Sequence, residues 1–224
     1  MNDEPMIDIR DVHHAYRHGS VVEPVLHGLD LCVQRGEFVV IMGPSGCGKT
    51  TLLNILGLIM TPTRAQSVRV AGAETCGLSD SGRTPLRRDA IGFVFQRFNL
   101  LPTITARANV ALPLRIRGQV LDGQVDALIR QVGLEPYAGK KPGRLSVGQQ
   151  QRFAIVRALI GQPALLLADE PTGNLDTANA DAILDLLSDF HRTRGQTIVM
   201  ITHNEHLAVR ADRVLQMRDG RFVD

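Results

Sequence analysis

Residues 38–58 read Phe38-Val39-Val40-Ile41-Met42-Gly43-Pro44-Ser45-Gly46-Cys47-Gly48-Lys49-Thr50-Thr51-Leu52-Leu53-Asn54-Ile55-Leu56-Gly57-Leu58. The first five form an unbroken β-prone apolar run, the pattern of a strand covered on both faces. Residues 49–58 read as a helix. Between them, residues 43–50 fit G-x-x-x-x-G-K-S/T, in the strand-to-helix setting that this motif requires. Glycines let backbone amides close around a phosphate without a side-chain clash, and the helix N-terminus adds its dipole to the anion site. Gly43, Pro44, Ser45, Gly46, Cys47 and Gly48 are therefore the expected cradle. Lys49 supplies a point charge to the β- and γ-phosphates, Thr50 a ligand for Mg²⁺, and Thr51 a hydroxyl for the α-phosphate. Cys47 reads as a small loop residue whose thiol is open to modification when nucleotide is absent.

Working outward, the apolar run at 165–168 ends in Asp169-Glu170. Phosphoryl transfer needs charge neutralisation and an in-line nucleophile, so Asp169 is expected in the Mg²⁺ shell and Glu170 as the residue polarising the attacking water. Thr197–Ile201 is another buried-strand run, and both runs end in polar residues suited to the carboxyl edge of a parallel sheet. Near the N-terminus, Leu29, Leu31 and Val33 alternate with Asp30, Cys32 and Gln34, as in a strand with one buried face. Residues 124–132 and 148–160 supply helices, separated by the breakers Gly133, Pro136, Gly139, Pro142 and Gly143.

Composition narrows the function class. Apolar residues make up 44% of the 224 and charged residues 21%, as in a chain that folds around one core. No apolar run approaches the roughly 18–20 residues needed to cross a bilayer. A polar start without a signal sequence predicts a cytosolic location. The three cysteines, Cys32, Cys47 and Cys76, have no metal-ligand spacing and read as reduced thiols. A net charge of +2 lacks the basic excess of a nucleic-acid binder. No Asn/Thr-Lys-x-Asp motif reads guanine, so the expected nucleotide is ATP rather than GTP. His203 and His206 are spaced three apart but lack a third ligand nearby, so no metal site is expected there.

Leu145-Ser146-Val147-Gly148-Gln149-Gln150-Gln151-Arg152 resembles the LSGGQ signature of the ATP-binding subunits of ABC transporters, and the resemblance runs over nearly the whole chain. Read physically, Ser146 with Gln149 three residues on is a capping box at a helix N-terminus able to receive an anion. The resemblance implies that Ser146, Gly148 and Gln149 contact the γ-phosphate held by a second subunit. It also gives roles to four further residues. Gln96 would sense Mg²⁺ and the attacking water, Asp176 would lie on a loop crossing the dimer interface, His203 would bond the γ-phosphate, and Tyr16 would stack on adenine. Singly, each also reads as an ordinary surface, cap, strand-end or half-buried residue; their joint order favours the family roles. The sequence departs from the motif at Val147, where a β-branched residue replaces glycine. Positive φ would be costly there, and bulk beside the phosphate contact would lower rate or nucleotide affinity.

The resemblance implies an α/β fold: a phosphate-loop NTPase core with a parallel sheet, an N-terminal antiparallel β region and an inserted helical subdomain. One ATP-binding domain would fill 1–224, with the core at about 1–95 and 161–224 and the helical part at about 96–160. The expected function is ATP hydrolysis in a homodimer that closes on two Mg-ATP and drives separate transmembrane permease subunits, peripheral to the cytoplasmic face of the inner membrane. Residues 98–102 are a candidate docking surface or ordinary core packing. Residues 93–102 and 173–176 look most like the lipoprotein-release and macrolide-export branch, with a cell-division ATPase or a polar amino-acid importer as the alternative, and a soluble non-transport ABC ATPase or a GTP-binding switch behind these.

Overall fold

The computed structural model describes residues 4–223. In chain order the elements are β1 (Ile7–His18), β2 (Val21–Val33), β3 (Phe38–Met42), α1 (Lys49–Leu56), β4 (Ser67–Val70), β5 (Ala73–Glu74), α2 (Asp80–Ala90) and β6 (Ile91–Val94). There follow α3 (Ala106–Ile116), α4 (Asp122–Gln131), α5 (Val147–Leu159), β7 (Leu165–Asp169), α6 (Thr177–Arg194), β8 (Thr197–Ile201), α7 (Glu205–Ala208), β9 (Arg213–Arg218) and β10 (Arg221–Val223).

Two sheets organise the molecule. The larger has the order β10-β9-β3-β8-β7-β6, parallel throughout except where β10 returns antiparallel on β9. Every residue of β3, β7 and β8 is buried, because helices or a second sheet cover both faces. Alternate side chains enter different cores, as the two-residue period of a strand demands. Phe38, Val40, Leu166, Ala168, Ile198 and Met200 pack with α3, α4, α5 and α6. Val39, Ile41, Leu165, Leu167, Val199 and Ile201 pack with α1 and the smaller sheet. That sheet, β2-β1-β4-β5, is antiparallel. It contributes Ile7, Ile9, Leu29, Leu31, Val33, Val68 and Val70, so α1 is buried through Leu52, Leu53, Ile55 and Leu56 between two sheets.

Helices α2 and α6, neither suggested by the sequence pattern, have opposite explanations. Helix α2 has no buried residue and contains Pro85, so it lacks an apolar stripe; its start is capped by Ser79, and Arg87 donates to Asp80 across two turns at 2.8 Å. Helix α6 does carry a stripe, Ile183, Leu184, Leu187 and Phe190, with Asp176 as N-cap and left-handed Gly195 as stop. One end also shifts slightly: α1 stops at Leu56, two residues short of the expected Leu58.

Candidate nucleotide site

The carboxyl ends of β3, β6 and β7 deliver one group of side chains to a pocket of about 480 Å³. Tyr16, Glu23, Val25, Ser45, Gly46, Gly48, Lys49, Thr50, Thr51, Gln96, Asp169 and Glu170 line it. The loop after β3 keeps its shape through glycine. Gly43 lies at φ 153°, and a Cβ there would stand 2.0 Å from the Met217 carbonyl oxygen of β9. Gly48, the residue before α1, is left-handed at φ 102°, and a Cβ would strike Leu26. Lys49 is buried, and its Nζ donates to the carbonyls of Gly43 and Pro44, both at 2.8 Å. Two dipoles rather than a carboxylate hold this ammonium, so its charge remains available to an anion. Cys47 is buried, with Sγ 3.8 Å from Lys49 Nζ, which corrects the expectation of an open thiol; Cys32 and Cys76 are the exposed ones.

Thr50 Oγ1 donates to Asp169 Oδ1 at 3.3 Å. Burial pushes the Asp169 carboxyl above its ordinary range, the Glu170 charge adds to this, and Thr50 and Lys49 oppose it. A buried carboxylate beside a hydroxyl and a second acid calls for a cation, so the donor set fits Mg²⁺. Glu170 sits at φ 43°, a conformation that costs a non-glycine residue about 1–3 kcal/mol, and its N–H donates to the Ile201 carbonyl at 3.0 Å. Gln96 Nε2 donates to Glu170 Oε2 at 3.4 Å, and His203 Nδ1 lies 3.4 Å from the same oxygen. Gln96 and His203 thus converge on one carboxylate from β6 and β8. The Tyr16 hydroxyl pairs with Thr51 Oγ1 at 3.0 Å, at the edge of the same pocket.

Ser146, Gly148, Gln149 and Asp176 are not among the residues lining this pocket. They gather at the starts of α5 and α6. Ser146 and Gln149 form the expected capping box, with reciprocal bonds of 3.2 and 3.1 Å. Asp176 caps α6. Val147 opens α5 and is not among the residues with positive φ, which removes the expected backbone strain; its side chain is 45% exposed, so only its bulk distinguishes it from glycine. Sequence reasoning missed Glu23 and Val25, which reach the pocket from the first half of β2, where no clean alternation marks a strand.

A family model described as ABC transporter matches residues 26–173. The lipoprotein-releasing system ATP-binding protein LolD of Anaeromyxobacter dehalogenans is 48% identical over 98% of this chain and 93% of its own length. The chain belongs to the ABC transporter family. It is an ATP-hydrolysing subunit of that family. The macrolide export ATP-binding/permease protein MacB of Chlorobium luteolum is 46% identical over 98% of the chain, which spans 33% of that longer protein. Among solved structures, the ABC cassette MJ0796, as a dimer in a post-hydrolysis state with ADP and Pi, superposes with a TM-score of 0.91 at 39% identity. The alignment covers 98% of this chain and 97% of that one. Among the described residues, no helix is long and apolar enough to cross a membrane.

Proposed function

We propose that two copies of this ABC ATPase close on two Mg-ATP, each nucleotide held by one copy's phosphate loop and covered by the other's signature. The observation that carries the reading is the separation of the two halves: Lys49, Thr50, Asp169 and Glu170 line one pocket, whereas Ser146, Gly148, Gln149 and Asp176 stand outside it. In this reading Gly43, Pro44, Ser45, Gly46, Cys47 and Gly48 wrap the β-phosphate, Lys49 neutralises the β- and γ-oxygens, Thr51 reaches the α-phosphate, and Tyr16 stacks on adenine. Thr50, Asp169 and Gln96 hold Mg²⁺, which when bound supplies charge neutralisation to the transferring phosphoryl group. Glu170 accepts a proton from the attacking water; His203 and Gln96 fix its Oε2 from two sides. The core spans about 1–95 and 161–224, and the helical subdomain about 96–160.

Hydrolysis is coupled to separate transmembrane subunits, at the cytoplasmic face of the inner membrane and without nucleic acid as partner. Leu100 packs inward and Leu101 outward, so residues 98–102 divide between core and surface. Beside them lies a groove of about 440 Å³, lined by Ile91, Phe93, Phe95, Pro113 and Ile116, as the seat for the membrane partner. The likeness to LolD and MacB supports a lipoprotein-release or macrolide-export system.

Glu170→Gln removes the proton acceptor and leaves the phosphate loop intact. Turnover should fall at least about a hundredfold, while ATP drives the variant into a stable dimer seen by sedimentation velocity. Turnover at the parent rate, or a variant that stays monomeric with ATP, would defeat the assignment.

A further inference from the structure

The two segments assigned to the second copy touch each other within one chain. Gly148 is buried at the start of α5, and a Cβ built on it would stand 2.4 Å from Asn179 Oδ1 and 2.8 Å from Asn179 Cγ. No side chain fits at 148 while Asn179 keeps its place. Asn179, in the first turn of α6, is itself committed to Asp176. Its Nδ2 donates to both carboxylate oxygens, at 3.0 and 2.9 Å, and its backbone N–H donates to Oδ1 at 2.8 Å. A methyl at 148 would push the Asn179 amide aside and take both Nδ2 bonds away from Asp176.

We infer that Asn179 is a positioning residue that joins the Ser146–Gly148 turn to Asp176, so that both meet the second copy as one rigid edge, and that position 148 is glycine because Asn179 fills the space of its Cβ. This rests on the reading above, in which both segments face the second copy's nucleotide. The rival explanation is that glycine lets the partner's phosphate approach the backbone. The two differ over alanine at 148 once Asn179 is shortened. Alanine is the better helix former, and Asn179→Ala leaves only its own Cβ, 3.3 Å from the one built at 148, so a shift of a few tenths of an ångström is all that alanine then demands. If the phosphate needs the space, alanine remains harmful in every background.

The test uses the full chain carrying Glu170→Gln, alone and with Asn179→Ala, Gly148→Ala or both. ATP-driven dimerisation is measured by sedimentation velocity, and ATP binding to the dilute monomer by direct titration. Asn179→Ala should weaken the dimer about tenfold, the scale of losing hydrogen bonds to a charged group. Gly148→Ala should weaken it at least about tenfold alone, but by less than about threefold when added to Asn179→Ala, the non-additivity of residues in contact. Monomer affinity for ATP should stay within about twofold in all variants, because the phosphate loop is remote from the change. Three results would overturn the inference: additive losses, a fully dimerising Asn179→Ala, or a loss of monomer ATP affinity parallel to the loss of dimer. Failure of the underlying reading shows separately, since the Glu170→Gln chain with no other change would then not dimerise with ATP, and both would fall.

Discussion

The pocket behind β3 and the edge formed by the starts of α5 and α6, which we assign to one reaction, are built differently. In the pocket, Lys49 and Asp169 are buried, Glu170 is held in a left-handed backbone, and glycines at 43 and 48 admit a strand carbonyl and a leucine where side chains would stand. At the edge, Ser146 and Val147 are exposed, and the bonds of the Ser146, Gln149 and Asp176 side chains lie within their own caps. The first region is finished by its own chain. In the proposed reading the second is finished by another copy, so that a single copy holds a phosphate site and the complement of its partner's.

That contrast can be broken on the pocket side. Lys49→Ala removes a buried cation from the pocket that we assign to the phosphates, and direct titration of the monomer should show ATP affinity reduced roughly ten- to hundredfold. Unchanged affinity would mean that the pocket does not hold nucleotide through this residue.

Asp169→Asn sharpens the comparison by separating binding from folding. Because burial and Glu170 raise the folded-state carboxyl, the ionised form costs stability at neutral pH, and that cost vanishes below the unfolded value of about 3.9. In the absence of nucleotide and divalent cation, the asparagine variant should melt higher than the parent at pH 7. The gain should shrink as pH falls, and the Mg²⁺ dependence of ATP binding should disappear. A variant that melts lower at pH 7 would show that Asp169 is already compensated without a cation.

The smallest effect is expected at the edge. Val147→Gly has no strain to relieve, so it acts through bulk alone; ATP-driven dimerisation should tighten a few-fold. Glycine in the first turn of α5 should also lower monomer stability by up to about 1 kcal/mol, read by thermal melting. A weaker dimer would show that Val147 makes a favourable contact of its own.

The pocket was legible because its chemistry is local. The motif from Gly43 to Thr50, the run into Asp169-Glu170 and the buried strands at β3, β7 and β8 each declare themselves within a dozen residues, where strand and helix periods act directly. Helix α2 was not legible, since a helix without a buried face leaves no periodic trace and is held by a cap and an ion pair. Glu23 and Val25 were not legible for a related reason: the outer half of β2 is largely exposed, so nothing marks which of its residues turns inward.

By itself the sequence determined that the chain has a phosphate loop with two carboxylates, a capped signature helix and no long apolar helix for a membrane. Only the tertiary structure decided which of these meet. It brought Gln96 and His203 onto one oxygen of Glu170 from different strands, left Ser146 and Asp176 outside that pocket, and set Asn179 where Gly148 has no side chain. Such pairings depend on strand order and helix packing across dozens of residues, whereas spacing along the chain records only neighbours within a few turns.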